Sequence, residues 1–170
     1  MKAVRKEIHE FFSPGEYLRD MFGELDPAAI ESLLHAGIVA RIAYVDRRGL
    51  PCIVPITYAY DGRAFYGYSL LGGKIEHMAA QPNVCVEVDR VENAADWRSV
   101  VVRGTFRRLH ADAAVDAVAR ISDRMRTVAA VSGAPVAAWR TFVARSGGAG
   151  IAYRIDVSEK RGRYSLPDSD

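Results

Sequence analysis

The run IVARIAYVDRRGLPCIVPITYAYDGRAFYGYS, Ile38 to Ser69, holds three apolar and aromatic segments divided by two short polar turns. IVARIAYVD, PCIVPITYAY and AFYGYS are rich in β-branched and aromatic residues, while RRG and DGR carry the glycine and polar chemistry of tight turns. Turns this short join antiparallel neighbours, because a parallel crossover needs a dozen or more residues. A doubly wound α/β fold is therefore disfavoured.

The flanks extend the same pattern. Asp26-Pro27 before AAIESLLHAG reads as a capped helix, with Ile30, Leu33 and Leu34 as its apolar stripe and Gly37 at its end. Downstream, a helical segment over 72–81 stops at Pro82-Asn83, and VCVEVD then alternates. Val84, Val86 and Val88 are expected inward, and Cys85, Glu87 and Asp89 outward. SVVVRGTFRRL puts Val100, Val102 and Phe106 on one face, and Gly104 between them marks a bulge or a close backbone approach. A long helix is expected from Asp112 to Val128, with Val115, Val118, Ile121, Met125 and Val128 at helical spacing. VAAWRTFVAR reads as a shorter helix, AYRIDV as a returning strand and SLPDSD as a polar tail. Five or six short antiparallel strands around one core hide their edges best by closing, so the expected class is mainly β with helices (α+β), a closed or nearly closed small barrel. The predicted organisation is a helical segment over 1–36 and a barrel over 37–170, one domain overall.

Composition narrows the function. The chain is 49% hydrophobic and 26% charged, which describes a soluble globular protein, and its net charge of +2 is too small to argue for a nucleic acid or an anionic membrane as partner. Arg120, Arg124 and Arg126 read as a solvated helix face. Cys52 and Cys85 have no metal-ligand spacing and read as buried free thiols of a reducing compartment. MKAVRKEIHEFF lacks the long apolar run of a leader, so a cytoplasmic setting is expected. His9, His35, His77 and His110 are scattered without ligand spacing, which assigns them structural or surface roles and leaves no metal site. No serine sits in a nucleophile elbow.

One short motif remains. In GYSLLGGKIEHMAAQ, residues 67–81, Lys74 stands behind two glycines where the helix begins. A helix N-terminus carries partial positive charge, so a cation there is unfavourable unless an anion lies between them. The pattern is not a phosphate-binding P-loop, which would need glycine where Tyr68 stands and Ser or Thr at Ile75. Two readings stay open, a solvated lysine or an anion site. A strand delivering Tyr68 and Ser69, the glycine loop, Lys74 and the hydroxyl-bearing strand PITY together suit a flat, partly apolar, phosphorylated ligand.

Taken as an ordered set, ARIAYVDRRGLPCIVPITYAYDGRAFYGYSLLGGKIEHMAAQPNVCVEVDRV followed by DWRSVVVRGTFRRL resembles the pyridoxamine 5′-phosphate oxidase-like, FMN-binding split-barrel superfamily, closest to the branch of the nitroimidazole-resistance proteins. The resemblance covers Gly37 to Leu109. It implies a homodimer of six-stranded split barrels with FMN at the subunit interface. Backbone and side chains of Val54, Pro55, Ile56, Thr57 and Tyr58 would line the flavin ring, Tyr68 and Ser69 would follow on the next strand, and Gly73 with Lys74 would hold the phosphate. Arg98 and Ser99 would contribute from near the dimer interface, and Trp139 is a further candidate for covering the ring. Two departures matter. Gly73 replaces the arginine of the family's Arg-Lys pair, and the tail RGRYSLPDSD lacks the Arg-x-His substrate motif, so oxidation of pyridoxine phosphate itself is not implied. Tyr68 also replaces the histidine of the nitroimidazole-resistance branch. The implied function is a flavin-dependent oxidoreductase acting on an unidentified small molecule, with Tyr58 and Tyr68 the nearest acid-base candidates. The alternative is a non-catalytic module that binds or senses flavin, haem or another flat cofactor.

Overall fold

A computed structural model describes residues 22–132 and 150–165, together with 141 and 143–145. Trp139, His9, the tail 166–170 and most of the expected helix over 136–145 lie outside the described residues. In chain order the elements are β1 (Phe22–Glu24), α1 (Pro27–Ala36), β2 (Val39–Val45), β3 (Pro51–Thr57), β4 (Ala59–Tyr60), β5 (Ala64–Leu70), α2 (Gly73–Ala80), β6 (Asn83–Val91), β7 (Trp97–Arg108), α3 (Ala111–Ser132) and β8 (Gly150–Ser165).

All pairings are antiparallel, and the strands run β3-β2-β6-β7-β8-β5-β4 across the sheet. The two ends of this path are one stretch of chain. Residues 51–57 pair with β2, residues 59–60 pair with β5, and only Tyr58 separates them. Counting β3 and β4 as one bent strand gives six strands around a ring, the expected split barrel. The bend leaves β3 paired on one edge alone among the described residues, which opens the split. β8 is much longer than the expected AYRIDV strand, holding β5 against its first half and β1 against its last three residues. β1 itself had no signal in the sequence.

The core fills the ring as the alternation predicts: Val84, Val86 and Val88 meet Val100, Val102 and Phe106, with Ile42, Phe65 and Ile155. Gly104 is both things the sequence allowed. The register shifts between Arg103 and Gly104, and a Cβ at 104 would stand 2.6 Å from both the Asp156 carbonyl oxygen and Ile155 Cγ2. α1 closes one end of the barrel with Ile30, Leu33 and Leu34, its N-terminus capped by Asp26, whose Oδ1 accepts from the Ala29 amide at 2.8 Å. α3 packs on β5 and β8, but through Ala117 and Ile121; Val115 of the expected apolar stripe is 68% exposed.

Two further expectations are corrected by tertiary contacts. Arg124 is not part of a solvated face: its Nη2 donates to the carbonyls of Ala36 at 3.0 Å and Gly37 at 2.7 Å, filling acceptors at the C-terminus of α1. Cys52 and Cys85 are free thiols, as expected, but half-buried rather than buried.

Candidate functional site: the split and the start of α2

α2 begins where β5 ends. Gly72 precedes it with φ 172°, an extended conformation open to any residue, and no side-chain hydrogen bond caps the helix. A Cβ at Gly72 would meet nothing within 4 Å, so the chain leaves free space before the first turn. Ile75 and Met78 anchor the helix in the core. Lys74, just before Ile75, is half-buried, and no carboxylate among the described residues pairs with it. Burial pulls its ammonium below the usual 10.5. Opposite-charge neighbours would have pushed it the other way.

The first turns of α2 lie beside the start of β3. Glu76 accepts from Arg47 in the β2–β3 turn at 3.1 Å, and the His77 ring stands 6.0 Å from that of Tyr44, which faces Cys52 across the β2–β3 ladder. Burial first, and then the neighbouring Cys52, raise the Tyr44 phenol above its ordinary range.

The structure sorts the sequence-predicted residues into three groups. Gly73 and Lys74 stand at the start of α2, with Ser69 at the end of β5. On β3, Pro55 and Thr57 face outward beside Ile53, which is 63% exposed, whereas Val54 is half-buried and Ile56 belongs to the core. Tyr58 is a correction: its side chain is 1% exposed, and its hydroxyl donates to the Leu34 carbonyl at 2.8 Å. Burial pushes its hydroxyl up to about 12, so the Tyr58 side chain is a poor proton donor or acceptor and only its backbone is left to line the split. Tyr68 lies across Gly150, whose place no side chain could share, since a Cβ there would come within 1.7 Å of the Tyr68 hydroxyl.

Arg98 and Ser99, the third group, are at the start of β7. β2 and β6 separate them from β3, a span of about 14 Å at the usual strand spacing. Ser99 Oγ donates to Glu87 Oε1 at 2.8 Å, and Glu87 and Asp89 are both held by Arg41. Ser99 pairs with Asp89, past the Arg41–Glu87 pair, whereas His77 of α2 stands by Tyr44, toward the other end of β2. Sequence reasoning passed over His77, although its position four residues after Gly73 on one helix places it over that first turn.

A phosphorylated, flat ligand fits what is present. The uncapped helix start supplies N–H donors, and among the described residues Lys74 has no acidic partner and one edge of β3 is unpaired beside an apolar residue. Among the described residues no group of three or more His, Cys, Asp or Glu is placed to hold a metal, and no helix is long and apolar enough to cross a membrane.

An uncharacterised protein of Rhizobium meliloti is 38% identical over 81 residues, 48% of this chain and 53% of that protein, so the match spans about half the length of that curated relative. Among solved structures, a FAD-binding protein from Mesorhizobium loti superposes with a TM-score of 0.64 at 27% identity, covering 85% of this chain and 98% of that one. A putative 5-nitroimidazole antibiotic resistance protein from Bacteroides thetaiotaomicron gives 0.64 at 19% identity, covering 84% and 87%, and shares the fold. The FAD and haem binding protein from Mycobacterium smegmatis, at 0.63 and 18% identity over 88% and 77%, shares it too. The family profile described as pyridoxamine 5′-phosphate oxidase matches residues 26–143. With that profile running from the cap of α1 past α3, and the split barrel closed by its bent strand, the chain belongs to the pyridoxamine 5′-phosphate oxidase-like split-barrel family.

Proposed function

We propose that this chain binds FMN at its split, works as a homodimer, and acts as a flavin-dependent oxidoreductase on a small molecule. The observation that carries the reading is Lys74, a half-buried cation without an acidic partner among the described residues, at an uncapped helix start that opens onto free space. The flavin, when bound, supplies the electron-transfer chemistry, and the chain supplies binding, orientation and electrostatics. Lys74 and the first N–H groups of α2 hold the phosphate. The free edge of β3 runs along the ring, with Ile53 and Pro55 excluding water. The membership of the family and the FAD-binding relative support a flavin. The outward apolar residues Ile53 and Val39 on the neighbouring strands β3 and β2, with Val101 on β7 beyond β6, support a second copy against that face, which would add Arg98 and Ser99 to the other chain's site. Two free thiols fit a cytoplasmic setting.

Titration of the apo-protein with FMN, followed by flavin fluorescence, tests the cofactor: saturable binding at micromolar protein is expected, and its absence ends the flavin reading. Light scattering tests the dimer, whose interface in a permanent pair would bury upward of about 2,000 Å². A stable monomer at dilute concentration contradicts it. The second reading, a non-catalytic module for flavin, haem or another flat cofactor, is favoured by the withdrawal of Tyr58 into the core, which leaves the split without that acid-base candidate. Reduction of bound flavin followed by transfer to an added acceptor separates the two.

A further inference from the structure

The first turn of α2 lacks a second basic group, since Gly73 stands where the resemblance places an arginine. His77 arises one turn later, and helical side chains lean back over the turn before them. Its Cε1 lies 3.7 Å from where a Cβ on Gly73 would stand, so the imidazole sits against the bare first turn. Tyr44 flanks the ring at 6.0 Å and limits its rotation. Nδ1 is buried without a hydrogen-bond partner among the described residues, and no hydrogen bond joins Nε2 to a described residue. A buried N–H left unpaired is rarer in proteins than a buried unpaired acceptor, so the proton of the neutral ring belongs on Nε2. That makes Nε2 a hydrogen-bond donor without a partner among the described residues. The adjacent acid, Glu76, is occupied by Arg47 and does not claim it.

We propose that His77 Nε2–H is the second donor to the anion held by Lys74, and takes over the part of the absent arginine. The inference rests on the phosphate reading of the α2 start. The ligand group it recognises is a terminal phosphate monoester, whose oxygens can be shared between an ammonium and an imidazole N–H.

FMN and riboflavin titrations of wild type, His77→Ala, His77→Gln and His77→Asn test it. His77→Ala should lose about tenfold in FMN affinity with riboflavin unchanged. Gln, whose amide nitrogen reaches the position of Nε2, should recover binding to within about threefold, and the shorter Asn should not. His77→Ala binding FMN as tightly as wild type overturns the inference. So does an equal loss for riboflavin, the mark of packing against Tyr44 alone. If wild type binds no FMN, the flavin reading falls, and inorganic phosphate still decides His77: a saturable shift of its imidazole nitrogen resonances supports the contact, and a flat response overturns it.

Discussion

Two half-buried lysines divide the molecule. Lys160, on β8 under α1, meets Glu31 by a short hydrogen bond, donates to the Gly62 carbonyl at 3.1 Å and lies 5.4 Å over the Tyr60 ring. Burial works against its charge, but the bonds to Glu31 and Tyr60 outweigh it and raise its pKa. Lys74 has only the burial, and its pKa falls. The helices repeat the contrast: α1 is capped by Asp26 at one end and by Arg124 at the other, while α2 starts without a side-chain cap. Lys160 and both ends of α1 have their partners within the fold. Lys74 has no acidic partner among the described residues, and the proposed ligand would supply one.

The glycines break the comparison most forcefully. Gly104→Ala should cost about 3 kcal/mol in urea unfolding, because the new Cβ meets backbone across the bulge, while Gly72→Ala should stay within about 0.5 kcal/mol. Equal costs would mean the space before α2 is not open. The lysines sharpen it next. Lys160→Met should cost about 1–2 kcal/mol by stranding Glu31, and Lys74→Met should cost nothing or raise the midpoint, since it removes a buried charge without orphaning a partner. A stability loss at Lys74 equal to that at Lys160 would reveal an internal partner and defeat the ligand reading.

A smaller effect follows from alkaline pH. Tyr58 keeps its proton in the fold up to about 12 against 10.0 when unfolded, so its contribution to stability is whole below pH 10 and is lost as pH rises toward about 12. Burial moves Tyr153 in the same direction. Lys74 has the opposite sign: the fold gives up its proton before the unfolded chain does, so the cost of burying the ammonium is relieved as pH approaches 10.5. FMN affinity should decline over that same window, while riboflavin affinity should not. Parallel decline of both ligands would point to unfolding instead.

What the sequence made legible was local. Alternation placed the three valines of β6 inward, Asp26 and Pro27 announced α1, and Gly104 marked the bulge, because each depends on neighbours a few residues away. The resemblance placed Tyr58 beside the ring, but it does not carry the point where the strand bends from one end of the sheet to the other, which turns this side chain into the core. Arg124 was misjudged because its acceptors, Ala36 and Gly37, lie more than 80 residues away. The first turn of α2 was legible as a place, through Gly72, Gly73 and Lys74. The missing partner of Lys74 was not, because absence of a contact is a property of the whole fold.

The account stands most directly on Lys74→Ala measured with FMN and riboflavin side by side. The loss of a charge-assisted contact should weaken FMN by about 10- to 150-fold, corresponding to about 1.5–3 kcal/mol, and leave riboflavin, which lacks the phosphate, where it was. A folded Lys74→Ala protein that binds FMN as tightly as wild type would make Lys74 a lysine that merely lacks a neighbour, and would contradict the account.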